Sequence, residues 1–288
     1  MTPLAVLTMV YDDEIFLKIW LSYWSRFLPR ENLYVLIHGD YEAYENLAEG
    51  CNTIRIPRPE VHGRTEIKRW EMIARISSGL TSMFGKVIYT DVDEIIALDP
   101  KQGSDLVEHI LGLHDPIVAP YGCDVVDPVE LDLPPFDEAR LILEQRPYVA
   151  SNAHYAKPCI IGKPVEWCSG GHYCKERNVT LSDDLFLFHL RLFDRRVYTQ
   201  RAAKRIAMVT DVNTGQAVDG FGGPTWRRSN ELERYSIETM EALPNLRFKR
   251  DREMWRNEVR EDEQGFFVRK GKMRKQLHRV PLRFESLF

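Results

Sequence analysis

An α/β fold, with a mixed, mainly parallel central sheet flanked by helices and an irregular C-terminal extension, is what this sequence predicts. Three observations carry it. Short β-branched apolar runs stop abruptly at acids, the first forty residues alternate strand, helix and strand, and 44% apolar residues over 288 positions suffice for a sizeable core. A βαβ unit implies parallel strands, and ligands of such sheets bind beyond the carboxyl ends of the strands. The residues at those ends are therefore the candidates for function.

Leu4 to Val10 is the first strand. Tyr11, Asp12 and Asp13 form the turn, and either aspartate can cap the next helix, where Phe16, Trp20, Tyr23, Trp24 and Phe27 recur at spacings of three and four. Pro29 ends that helix. Leu33 to Ile37 is the second strand, finishing at His38-Gly39-Asp40, and Ile54 to Ile56 is a short third, closed by Pro57 and Pro59. After a loop over 61–64, Thr65 to Leu80 carries Met72, Ile73, Ile76 and Leu80 on one helical stripe. Arg64, Lys68 and Arg69 crowd the start of this helix, where cations oppose the macrodipole and call for an anion or free solvent. A diphosphate is one such anion; a solvated face is the alternative.

The stretch Gly85 to Ile96 reads as a buried strand that delivers Asp91, Asp93 and Glu94 to the rim of the sheet. Carboxylates two residues apart face the same way on an extended backbone, and a turn at Val92 can fan them around one ion. Hard oxygen ligands favour Mg²⁺ or Mn²⁺, which keeps positions open for substrate phosphates. The bland alternative is that these acids end a strand and solvate a turn. Asp99-Pro100 then breaks the chain, Ser104 caps a helix through Leu111, and Pro116 to Pro120 is a short strand. Asp127 to Pro147 is an irregular excursion with one helix around Phe136 to Gln145.

Lys157 to Ile161 resumes an extended run, followed by Val165 to Trp167 and by Gly170-Gly171-His172, whose paired glycines suit a close backbone approach or a positive φ. Leu185 to Leu190 is a strand in which His189 shares a face with Leu185 and Leu187. It is either a core histidine with a backbone partner or a third ligand for the ion at Asp91 and Asp93. Cys159, Cys168, His172 and Cys174 do not have the spacing of a zinc knuckle. Beyond 210 the chain is less periodic, with an aromatic glycine-rich loop at Gly220 to Trp226. Between Arg269 and Arg283 seven Lys/Arg and no acid are interleaved with Met273, Leu277, Val280 and Leu282. That run suits an anionic membrane or an anionic acceptor, with a solvated surface as the alternative.

A formal charge of −4 gives no general attraction to nucleic acid. Five cysteines without a C-x-x-C pair argue for a reducing compartment. With no basic leader and no long apolar span, a cytoplasmic protein is expected, with peripheral contact at the inner membrane face through 269–283 as an open addition.

Several of these stretches together resemble bacterial family-2-like glycosyltransferases with the GT-A fold, a Rossmann-like architecture. The acid-glutamate pair Asp13-Glu14 opening an aromatic helix, the D-x-D-E stretch Asp91 to Glu94, Lys157, Trp167 with Gly170-Gly171-His172, and Phe188-His189-Leu190-Arg191 carry the resemblance over residues 4 to 194. It implies transfer of a sugar from a nucleotide donor, a UDP-sugar, to a glycan or lipid-linked acceptor, with a divalent metal on the diphosphate. It puts Tyr11, Asp13 and Asp40 at the nucleotide, and Asp91, Asp93 and His189 at the metal. The implied division is a catalytic domain over 1–210 and an extension over 211–288 for acceptor or membrane contact. Arg64, Lys68 or Lys157 would stabilise the leaving diphosphate, and Asp184, Asp183 and His172 are candidates for the base that deprotonates the acceptor. Two other readings compete. A strand ending in D-x-D also introduces the aspartyl nucleophile of haloacid-dehalogenase-like phosphohydrolases, although that group has Thr or Val where Ile95 stands. A non-catalytic glycan-binding module on the same fold is the other.

Overall fold

The computed structural model describes residues 4–39, 41–58, 64–103, 105–208, 232, 235, 248–269 and 276–288. Its parallel half consists of β1 (Leu4–Val10), β2 (Leu33–His38), β3 (Asn52–Ile56) and β4 (Lys86–Tyr89), with β1 between β2 and β4 and β3 outside β2. β1 is apolar almost throughout because both its faces are covered. Val6 and Val10 enter the cluster built with α1 (Glu14–Trp24), while Ala5, Leu7 and Met9 enter the one built with α3 (Thr65–Leu80).

The other half is mixed. β8 (Ile160–Ile161) lies antiparallel between β4 and β6 (Ile117–Val126), and β7 (Tyr148–Ser151) continues antiparallel to β12 (His278–Arg279) at the edge. β9 (Thr180–Leu192) runs parallel to β6 and antiparallel to β5 (Glu94–Leu98). More residues pair in parallel than in antiparallel ladders, so the mixed, mainly parallel α/β sheet expected from sequence is found. Helices α2 (Tyr41–Leu47), α4 (Leu106–Leu111), α5 (Ile142–Gln145), α6 (Arg195–Met208) and α7 (Phe248–Asn257), and the hairpin of β10 (Val259–Glu261) and β11 (Phe267–Arg269), complete the described elements.

Some elements differ from expectation. The Gly85 to Ile96 stretch is two strands: the chain leaves β4 at Tyr89, turns over Asp91 to Asp93 with Glu94 N–H on the Asp91 carbonyl at 2.9 Å, and re-enters the sheet as β5. α4 is capped by Asp105, whose carboxylate accepts the Glu108 N–H at 2.8 Å; Ser104 lies outside the described residues. The helix expected around 136–145 is reduced to α5. Neither α2 nor α6 was expected.

Described residues of the C-terminal segment join the core. Trp255 of α7 stacks on Tyr121 at 4.6 Å, and Phe284 and Phe288 are buried with the β-sheet residues. The basic run over 269–283 is therefore not one continuous face. Leu277 and Val280 are interior, Arg279 pairs with Glu285 and Arg283 with Asp99, and Met273 lies outside the described residues. Among the described residues no helix is long and apolar enough to cross a membrane.

Candidate active site at the carboxyl ends of β1 and β4

The turn after β4 is clamped from below. Trp20 of α1 donates its indole N–H to Thr90 Oγ1 at 3.0 Å, and the Thr90 N–H bonds the Leu7 carbonyl of β1 at 3.1 Å. This sets Asp91 against Lys157, with Oδ2 to Nζ at 2.7 Å, and Tyr89 donates its hydroxyl to Oδ1 at 3.2 Å. Lys157 Nζ also meets Glu94 Oε1 at 2.5 Å, while Glu94 Oε2 accepts the Asp91 N–H at 3.1 Å. Burial opposes every charge here. It pushes Glu94 up to about 7 despite Lys157, whereas Asp91 ends below its ordinary value because Lys157 and Arg69 outweigh burial. Lys157 is raised by the two carboxylates that hold it.

Asp93 faces the other way, towards β9 and α6. The sheet register puts His189 level with Glu94 of β5 on one side and Asp124 of β6 on the other. His189 Nδ1 bonds Asp124 Oδ1 at 2.7 Å, its ring stacks on Tyr155 at 3.9 Å, and Nε2 stands 3.5 Å from Asp93 Oδ2. Burial disfavours the imidazolium, but the Asp93 charge and the Asp124 hydrogen bond overcome it and raise the pKa.

α6 closes the site with cations. Arg201 gives Nη1 to Asp93 Oδ2 at 2.5 Å, and Nε and Nη2 to Asp13 at 2.7 and 2.9 Å. Arg205 also pairs with Asp13 and bonds the Tyr11 carbonyl, and Lys204 reaches Asp12 at 2.8 Å. Asp93 is held well below the usual carboxylate range because Arg201 and His189 outweigh its burial. Asp13 stands at the N-cap position of α1 without a side-chain cap bond, its carboxylate being taken by α6 instead. Asp12 adopts a φ of +49°, which an Asp tolerates at a tight turn.

Of the residues expected at a site, the structure brings Asp13, Asp91, Asp93, Lys157 and His189 together. Tyr11 is adjacent, its ring under the Arg58 guanidinium at 3.4 Å. Lys68 is exposed on α3 and makes no ion pair among the described residues, and Arg64 is exposed at the start of that helix. It is Arg69, paired with Glu66, whose charge acts on Asp91. Asp40 lies outside the described residues. Asp183 and Asp184 are not brought here. They sit near the start of β9, five and six residues before His189 and so about 17 and about 20 Å away along the strand at about 3.3 Å per residue. Asp183 pairs with Arg256 and Asp184 accepts from Gln102. His172 lies at the edge of the site, with Nδ1 2.8 Å from the His154 carbonyl and its ring 5.5 Å from Tyr155. A carbonyl only accepts, so Nδ1 carries the proton and Nε2 is bare; burial, reinforced by Lys157, pushes the ring down to about 3.

Sequence reasoning missed Asp124, Arg201, Lys204 and Arg205. The one local signal is a stretch from Arg195 to Met208 with five basic residues and no acid.

Among the described residues no three His, Cys, Asp or Glu side chains converge as a metal cluster. The expected triad is divided, because Asp91 turns to Lys157. Asp93 and His189 are left as the candidate pair for a divalent ion, although Arg201 Nη1 bonds the same Asp93 Oδ2 that His189 Nε2 approaches. Two ligands of one such ion lie about 3 Å apart, close to the observed 3.5 Å, and the imidazole is oriented by the carboxylate behind it.

No family model and no curated protein matches the chain. Among solved structures it is similar to the mannosyltransferase PcManGT from Pyrobaculum calidifontis in complex with GDP-Man and Mn²⁺, at 16% identity and a TM-score of 0.28. The likeness covers 45% of this chain and only 36% of that one, so it carries no functional argument.

Proposed function

We propose that the protein is a glycosyltransferase that moves a sugar from a nucleoside-diphosphate donor, a UDP-sugar, to a hydroxyl of a glycan or lipid-linked acceptor. The observation that supports this reading best is the convergence of Asp13, Asp91 and Asp93 at the carboxyl ends of adjacent parallel strands, interleaved with Lys157, Arg201 and Arg205. Asp93 and His189 would hold Mn²⁺ or Mg²⁺. Bound there, the ion would neutralise charge on the diphosphate as it leaves.

The chain's own groups have separate tasks in this reading. Lys157 keeps Asp91 ionised and Arg201 keeps Asp93 ionised, and Lys157 presents positive charge beside the leaving group, where it stabilises the transition state more than the ground state. Asp124 fixes the His189 ring so that Nε2 faces Asp93. On the acceptor side, the bare Nε2 of His172 accepts from a sugar hydroxyl and orients it. A group with a pKa of about 3 is poorly matched to storing the proton, so its task is orientation.

A screen of UDP- and GDP-sugars by thermal shift with Mn²⁺, followed by release of the nucleoside diphosphate, tests the proposal. A donor that raises the melting temperature only with the metal and is turned over supports it. Rapid turnover of a generic phosphate ester, lost in Asp91→Asn, would replace it with the phosphohydrolase reading.

A further inference from the structure

The β10–β11 hairpin lies against the segment that follows Gly170-Gly171, fastened by the Phe267 N–H on the Cys174 carbonyl at 2.9 Å. Between them is a cleft lined by Phe267, Arg269, His172, Tyr173 and Arg177. Ala156 and Pro158, on either side of the Lys157 that holds Asp91 and Glu94, also line it. The cleft therefore abuts the acidic turn, and the ring contacts from His172 to Tyr155 and from Tyr155 to His189 connect the two.

Arg269 is the unusual member. It is only 7% exposed, its Nε has no acceptor, and no carboxylate meets its guanidinium among the described residues. Buried Arg146 and Arg201 each have an aspartate. Arg252, which also has nitrogens without acceptors, lies over the rings of Tyr121 and Phe186 at 5.2 and 4.9 Å. Arg269 has no such compensation. Burial, with a smaller push from the nearby Arg256, takes its pKa down to about 10, and it remains charged at neutral pH. Arg177, at the same cleft, is exposed and makes no ion pair among the described residues. An unpaired buried guanidinium is costly, and an anion that enters the cleft removes that cost with charge-assisted hydrogen bonds.

We infer that this cleft, whose volume of about 30 Å³ suits a small anion, is part of the acceptor subsite and takes the anionic group of an acidic sugar, a carboxylate or phosphate that pairs with Arg269 and Arg177 while the sugar ring stays outside it. The assignment to an acceptor rests on the sugar-transfer reading; the anion site does not. Glucuronate, glucose 6-phosphate and glucose, each titrated into the full chain without nucleotide and followed by thermal shift and calorimetry, test it. At least one acid raises the melting temperature and glucose does not, and the acid that does so identifies the anion. Arg269→Met weakens that binding about tenfold or more while melting at or above the wild-type temperature. Arg177→Met, at an exposed position where folding is not at stake, weakens it several-fold. Binding of neither acid, or equal binding by both variants and the wild type, overturns the inference. UDP with Mn²⁺ on the same preparation separates the two proposals. Nucleotide heat without an acid response removes the subsite alone, and an acid response without nucleotide heat removes the donor reading and leaves the anion site.

Discussion

Arg201 and Arg269 are both buried arginines, yet their surroundings shift them in opposite directions. Around Arg201 the carboxylates of Asp13 and Asp93 more than offset burial and raise its pKa; around Arg269 no carboxylate among the described residues does so, and its pKa falls to about 10. The first belongs to a region whose charges pair within the chain, the second to a region whose buried charge has no carboxylate partner among the described residues. The contrast separates groups that hold the candidate active site in shape from a group placed to meet a ligand.

Removing one partner from the satisfied region has the largest effect. Arg201→Ala leaves Asp13 and Asp93 buried beside one fewer cation and is expected to destabilise by about 3–5 kcal/mol, measured by urea unfolding; a loss below 1 kcal/mol would mean that water compensates the acids. Gly122→Ala acts on the segment shared by both regions. Its Cβ would meet backbone of 152–156, including Ala156 N at 2.6 Å, and so displace Tyr155 and Lys157 together. About 1–3 kcal/mol of destabilisation is expected, with weaker nucleotide and acid binding alike.

A smaller effect is a pH dependence at the start of α6. Asp194 is buried, which raises its carboxyl, but the N–H groups of Val197 and Arg196 and the Arg146 guanidinium outweigh burial and lower it. A depressed folded-state pKa contributes stability above the unfolded value, about 4 for Asp, and loses it as pH falls through the folded value. Wild-type stability should therefore decline below about pH 4 more steeply than that of Asp194→Asn, and parallel curves would remove the assignment. The smallest effect is in the unsatisfied region. Arg269→Met should change stability by less than about 1 kcal/mol, or increase it, because no partner is orphaned; a large loss would reveal a structural role.

Legibility in the sequence follows the same division. β1 and α3 were readable to the residue because apolar periodicity reports burial directly. The β4 tip was found through its acids, but β5 was not separated from it, since Ile95 and Ile96 read as part of the same apolar run. α6 has no broad apolar stripe; what seats it is Arg201 on Asp13, 188 residues away, and no local pattern encodes that pairing. Asp183 and Asp184 were placed by their distance along the chain from the double glycine, a measure blind to the length of β9 before His189. His189 was recognised as unusual in its strand, while its partner Asp124 is an ordinary acid until the β6–β9 register brings them level.

The proposed sugar transfer requires the β1–β4 crevice to bind a nucleoside diphosphate through a metal held by Asp93. Calorimetric titration of UDP, with and without Mn²⁺, into the wild type and Asp93→Ala tests it most directly. A metal-dependent heat is expected in the wild type and none in the variant, with the variant still folded by circular dichroism. UDP binding that ignores both the metal and the substitution would contradict it.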